Sequence, residues 1–357
     1  MISPIAIAGR SRSPRALGYR QPAEWDNHAA CWLAWPSHRD LWGDALEPVR
    51  EAFVALCRAV SCGTAGERLE ILVPDEANRL LAAEALAGVP VRLRDIPFGD
   101  IWLRDTAPIF LKGDSGSVVP ACFAFNGWGG KYVLPEDDQV ARRIAELQPE
   151  APFLFSWVLE GGSVEVDGEG TCLTTTQCLL NPNRNPGIDR ATLDELLGEA
   201  LGVTKVLWLG DGLKNDHTDG HIDTIARFAA PGRVVCMEAS GEDDPNREVL
   251  QAIVRDLSRF EDAAGRRLDV TTVPSPGRIL SSSGEVMPAS YVNFYVGNAA
   301  VVVPTYGSSF DDEAVEKIAA LFPGRRTVGV SARELLEGGG AFHCISQQQP
   351  EAAGRTM

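Results

Sequence analysis

The chain has 357 residues, 45% of them hydrophobic and 23% charged, with a formal net charge of -16 and an isoelectric point near 4.8. That acidity argues against nucleic-acid binding, which rests on phosphate neutralisation by Lys and Arg, and raises the local concentration of small cations. No run approaches the ~18 apolar residues of a membrane-spanning helix, and the length suffices for a large core.

In chain order, residues 1–20 combine a short apolar patch with four arginines. They lack a secretory pattern and are expected to form a flexible tail ahead of a single catalytic domain over 21–357. Runs rich in β-branched and aromatic residues predict strands at 31–35, 69–73, 91–93, 117–125, 171–176, 205–209, 233–237, 268–273, 292–296 and 299–303. Amphipathic stretches predict helices at 45–61, 75–87, 136–147, 189–201, 245–259 and 311–321. Asp189 and Asp311 stand at the N-cap positions, and Gly88 and Gly202 at helix ends. Interleaved strands and helices make the fold α/β. Inspection shows no internal sequence repeat. Five glycine-rich turns with polar flanks, PFGDIWLRD, FNGWGGKY, LEGGS, GDGLKNDHTDGH and EGGGAFHC, recur at strand ends, where backbone can approach a ligand closely.

Eight cysteines occur and none forms a CxxC, which fits free thiols in a reducing cytoplasm. Seven sit in structural settings, most of them in apolar runs. Cys344 differs, lying in GGGAFHCISQQQP after a triple glycine, a setting in which a thiol can be exposed and activated; a further buried cysteine is the other reading. His343 precedes it, but neighbours in an extended segment point to opposite faces, so His343 is not taken as its base.

The cluster at 215–228 holds His221 and Asp223, two apart at the start of a strand-like run, where both face one side. They suit an acid–base pair. A metal site from Asp216, His217, Asp219, His221 and Asp223, or a solvated turn, stands beside that reading, although no HExxH is present. Asp105 follows Arg104 and lies three residues after Trp102, which equally describes a buried ion pair beside a core tryptophan. Glu160 ends an apolar run before two glycines, and a carboxylate there needs a partner, either a histidine to orient or a structural cation. Together, a soft nucleophile, a His/carboxylate pair and spare carboxylates form the set needed to attack a guanidinium carbon. Carboxylates hold that planar cation bidentately. Each ion pair at ~4 Å is worth roughly 4 kcal/mol before desolvation at an effective dielectric of ~20.

The segments QPAEWDNHAACWLAWP, IWLRDTAPIF, FNGWGGKY, LEGGSVEVDGEGT, LLNPNRNPG, NDHTDGHIDTIARF, PASYVNFYVGNAAVVVP and FHCISQQQP, spread over about residues 21–350, resemble in order the agmatine deiminase and bacterial peptidyl-arginine deiminase family. The resemblance implies a pentein α/β propeller of approximate fivefold symmetry and a hydrolase acting on a linear amidine, without cofactor or metal. It implies Cys344 as nucleophile, His221 as general acid/base, Glu160 orienting that histidine, and Asp105 with Asp223 gripping the guanidinium. Trp102, Trp128 and Gly339 become the substrate-contacting residues. The implied partner is a small cationic guanidine, agmatine first, with free or peptidyl arginine as the alternative, and the implied assembly a homodimer or larger homo-oligomer. A metal-dependent hydrolase at His217/His221 and a catalytically silent guanidine-binding protein are the readings from other classes. The chain departs from the family in DLWGDALEPVREAFVAL, at His217, where an acidic residue often stands, in the slightly altered PASYVNFYVGN block, and in AFHCIS. These positions are expected to meet the far end of the substrate. A substrate carboxylate would need a further arginine, with Arg104, Arg184 and Arg227 as candidates.

Overall fold

One supersecondary unit recurs five times in the computed structural model, which describes residues 12–63 and 65–353. Each unit pairs two strands antiparallel, then adds a third strand parallel to the second through a helical crossover. In the first, Ile109–Gly113 pairs with Val118–Ala124, and the helix Asp137–Glu146 leads to the parallel strand Phe153–Val158. The second joins Glu165–Val166, Thr171–Thr175 and Lys205–Leu209 around the helix Arg190–Leu201. The third joins Ala226–Ala230, Arg233–Glu238 and Asp269–Pro274 around Arg247–Leu257, and the fourth Tyr295–Val296, Ala300–Thr305 and Arg326–Ser331 around Asp311–Leu321. The fifth is closed by the two ends of the chain. Gln347–Pro350 pairs antiparallel with His28–Ala34, and the helix Leu46–Val60 leads to the parallel strand Arg68–Val73, with Val91–Asp95 at the edge.

The crossover helices form because their apolar residues recur at helical spacing. In Leu46–Val60, the buried positions Leu46, Val49, Phe53, Leu56, Cys57 and Val60 make one stripe. Full burial of each large side chain contributes ~1.5–3 kcal/mol. Asp189 caps its helix as expected, accepting from the Thr192 amide at 2.9 Å, and Gly202 ends it at φ +73°. Asp311 does not act as a cap. It lies inside the first turn, where its carboxylate accepts from the Tyr306 and Gly307 amides and the Tyr291 hydroxyl. Of the expected tail, residues 1–11 lie outside the described residues. Residues 12–20 are built into the fold: Ser13 is buried, and Tyr19–Arg20 adds an edge strand beside Ile109–Gly113. Six of the seven cysteines read as structural are buried, and Cys62 is exposed.

What matters for function is where each unit begins. Asp105, Glu160, Asp223, Asn293 and Cys344 each stand two to five residues ahead of the first strand of a different unit. The repeat therefore delivers one polar side chain per unit from the same kind of turn.

Candidate active site

Cys344 lies at the wall of a cavity of about 370 Å³, which Asp105, Trp102, Trp128, Gly339 and Asp100 also line. It is 6% exposed. The buried Arg104 ties the loop of Asp105 to that of Cys344: its guanidinium donates to the side chains of Gln347 and Gln348 at 2.8 and 2.7 Å and to the His343 carbonyl at 3.2 Å. The Arg104 amide also donates to the Cys344 carbonyl at 3.1 Å. The sulfur receives a hydrogen bond from Asn293 Nδ2 at 3.1 Å and lies 3.6 Å from Asp223 Oδ2.

Asp105 is set by two donors, the Trp128 indole N–H and the Gly162 amide, both at 2.9 Å. Its Oδ2 is 3.8 Å from His221 Nδ1. Trp128 adopts φ +52° to reach it, in a turn made possible by Gly127 and Gly129 at φ +69° and +80°. Asp223 is held by His343 Nδ1 at 2.7 Å, and the other nitrogen of His343 meets Glu24 at 2.7 Å. Glu24 in turn pairs with Arg227 at 2.6 Å. His343 thus anchors a carboxylate and faces away from any role as base. Glu160 pairs with Arg184 at 2.7 Å, both side chains fully buried.

The position of Gly162 measures how tightly the groups converge. A Cβ built there would lie 2.6 Å from His221 Nδ1, 3.0 Å from Asp105 Oδ1 and 3.1 Å from Asp223 Oδ2. Several buried polar atoms here have no hydrogen-bond partner in the protein: both ring nitrogens of His221, Asp223 Oδ1 and Glu160 Oε2. Leaving such groups unpaired costs ~1–3 kcal/mol each, a penalty that functional sites retain.

The electrostatics follow from burial and neighbours. Burial raises the Cys344 thiol well above its ordinary value, and the negative charges of Asp223 and Asp105 raise it further. Burial also raises Asp105, against the pull of His221 and with the push of Asp223 and Glu160. For His221, burial alone would depress the imidazole. The Asp105 charge, Cys178 and Glu160 outweigh it, so the ring is held well above its usual value. Asp223 is lowered despite burial because His343 binds its charged form. At rest these shifts favour a neutral Cys344 thiol and a protonated His221 imidazole.

The structure thus brings Cys344, His221, Glu160, Asp105 and Asp223 to one place, with Trp102, Trp128 and Gly339 on the cavity wall. Two expectations need correction. His221 and Asp223 were expected at the start of a strand. Instead Ile222–Thr224 is a 3-10 turn, closed by the Thr224 hydroxyl on the His221 carbonyl at 2.9 Å, and the strand starts at Ala226. Nor do Asp216, His217, Asp219, His221 and Asp223 gather as metal donors. His217 stands beside Gly339 at the cavity wall, and Asp219 pairs with Lys131 and Arg184. Among the described residues, the one group of three donors at metal-like spacing is Glu160, Cys178 and His221.

Leu41, Trp42 and Ala45 from the divergent 40–56 segment, together with His217, line the cavity. Asn293 and Asp100 were not singled out from sequence. Asn293 had one available signal, a polar residue inside the apolar run SYVNFYV, where burial demands a partner. Asp100 accepts from the indoles of Trp42 and Trp102 at 2.9 and 2.8 Å and fixes both rings against the cavity.

Fold and site together define a class of α/β proteins in which a buried thiol at a cavity wall stands in a cluster with a buried histidine and several carboxylates. The sequence model of the Porphyromonas-type peptidyl-arginine deiminases matches residues 20–350, and the chain belongs to that family. An agmatine deiminase of Stutzerimonas stutzeri is 39% identical, covering 95% of this chain and 97% of the relative. One of Pseudomonas aeruginosa is 37% identical over 96% and 99%. The solved agmatine deiminase of Enterococcus faecalis superposes with a TM-score of 0.91 at 33% identity, covering 96% of this chain and 99% of the other.

Proposed function

We propose that the chain hydrolyses agmatine to N-carbamoylputrescine and ammonia through a covalent intermediate on Cys344. The observation that carries this reading is the charge pattern of the cavity. A thiol and the carboxylates of Asp100, Asp105 and Glu337 line it, and among the described residues no lysine or arginine does. Arg104, Arg184 and Arg227 are committed internally, to Gln347 and Gln348, to Glu160 and Asp219, and to Glu24 and Glu165 respectively. A guanidinium is welcomed there, whereas a substrate carboxylate finds no partner.

The chemistry runs in two halves. Asp105 and Asp223 hold the guanidinium, and its positive charge offsets the two that keep Cys344 protonated. The sulfur gives its proton to solvent water and, as the thiolate, attacks the guanidinium carbon, whose C–N π pair moves onto nitrogen. His221, already protonated, gives its proton to the departing ammonia, leaving an S-amidino enzyme. The imidazole then takes a proton from water, which attacks the same carbon and expels the sulfur. Glu160, clamped by Arg184, orients the imidazole. Trp102 and Trp128 pack on the cation, and Gly339 leaves room at the wall.

Two expectations follow. Ammonia release should be faster from agmatine than from arginine by at least about tenfold in kcat/KM, because burying an unpaired carboxylate costs several kcal/mol. Arginine as the better substrate, with agmatine inert, would overturn the assignment. Second, a thiol with a raised pKa stays protonated until high pH. Inactivation by neutral iodoacetamide should therefore be slow at pH 7 and keep rising beyond pH 9, while a cationic haloacetamidine that supplies its own charge should react at least about tenfold faster at pH 7. Equal rates for the two reagents would contradict substrate-assisted ionisation.

We further read the five units as blades of a pentein propeller around this site, which the recurring strand order supports. We place the enzyme in the cytoplasm, since all eight cysteines are free.

A further inference from the structure

We infer that Cys178 is a positioning residue for His221, sharing with Glu160 the side of the imidazole turned away from the cavity. This rests on reading His221 as the proton carrier. The sulfur of Cys178, a carboxylate oxygen of Glu160 and a ring nitrogen of His221 all lie within 4.8 Å of one another, and all three residues are buried. Nδ1 of the ring faces the Gly162 position and Asp105, which leaves the other nitrogen for this group. Neither ring nitrogen has a hydrogen-bond partner in the protein.

The placement of Cys178 is built in. Thr175 caps the short helix Thr176–Leu179 by accepting from the Cys178 amide at 3.2 Å, and the same hydroxyl donates to the Gly220 carbonyl at 2.7 Å. One side chain thus locks the backbone of Cys178 to the residue before His221. Gln177 adds a second tie, accepting from the Gly212 amide at 2.7 Å in the strand-end loop that packs on Gly220.

A thiol suits this place better than a second carboxylate. It accepts weakly from a protonated imidazole and donates weakly to a neutral one. The histidine must be both in turn, first giving a proton to ammonia and then taking one from water. Another fixed negative charge would hold the ring protonated and slow the second half. A divalent metal on the same three groups is disfavoured, because the buried guanidinium of Arg184 already stands 2.7 Å from Glu160.

The test compares Cys178→Ala, Cys178→Ser and the volume-preserving Cys178→Val. The charged neighbours Asp105, Glu160, Asp223 and Arg184 are unchanged in all three. In Cys178→Ala, kcat for agmatine should fall about tenfold, or ~1.4 kcal/mol, with KM within about twofold of wild type and the pH profile of kcat displaced. Cys178→Ser should recover most of the rate and the wild-type profile. The substrate-free proteins supply an independent readout. The titration midpoint of His221, followed by ¹⁵N NMR, should move in the alanine and valine variants and stay in the serine variant. An unmoved midpoint in both alanine and valine proteins, or equal loss in serine and alanine variants at an unchanged pH profile, reduces Cys178 to packing and overturns the inference. Valine stands in if the alanine variant does not fold. The NMR midpoint decides the point even if agmatine proves not to be the substrate.

Discussion

Cys344→Ser is expected to lose ammonia release from agmatine by roughly 10³-fold or more while agmatine still binds. The hydroxyl is smaller than the thiol but can still accept from Asn293 Nδ2, which lies 3.1 Å from the sulfur. It does not keep the acidity. Even a thiol is pushed well up here by burial and by Asp223 and Asp105, and an alcohol starts far higher still. A bound guanidinium cannot lower it enough to form the alkoxide. The carboxylates that hold the cation are untouched, so calorimetric titration should return an affinity close to the wild-type KM. Steady-state ammonia release and mass spectrometry of quenched enzyme check the two halves. Wild-type protein should show the S-amidino adduct, and the serine variant none. Retained turnover in the variant would remove Cys344 as nucleophile.

Gly162→Ala is expected to cost about 10²-fold in kcat/KM, the penalty of moving reacting groups by ~1 Å, although it adds a single methyl group. That methyl would lie 2.6 Å from His221 Nδ1 and within 3.1 Å of both Asp105 and Asp223. A Cβ does not tolerate the 2.6 Å contact, so the imidazole must move, and the two carboxylates, at 3.0 and 3.1 Å, must give by a few tenths of an ångström. The Gly162 amide also donates to Asp105 at 2.9 Å, so a backbone shift loosens the carboxylate that the methyl pushes. Thermal denaturation separates this from unfolding. The variant should remain folded, with slower reaction of Cys344 toward a cationic haloacetamidine. A near-wild-type rate would mean that the three groups do not converge as the coordinates place them.

Much of the chemistry was readable before any coordinates. Cys344 stood out because glycines flank it while most of the other thiols sit in apolar runs, and Glu160 because it ends a buried run with a charge. Partners were harder to see. Glu160 finds Arg184, 24 residues away, and Asp223 finds His343, 120 residues away, and no local pattern encodes contacts at such separations. Cys178 was missed for the same reason: it looks like an ordinary structural thiol until the fold sets His221 beside it. The turn at Ile222–Thr224 was read as strand because alternating residues in HIDTIARF satisfy strand periodicity, while the deciding bond comes from the Thr224 hydroxyl.

From its sequence alone this protein's α/β class and most of its strands and crossover helices were determined, because hydrophobic periodicity and turn chemistry act over a few neighbouring residues. Tertiary structure alone decided that five unlike segments form the same unit, that the C-terminal strand closes against His28–Ala34, and that three arginines serve the framework and none lines the cavity. Those outcomes depend on which buried charges meet across the fold, and a buried charge is stable only beside the particular partner that long-range packing brings to it.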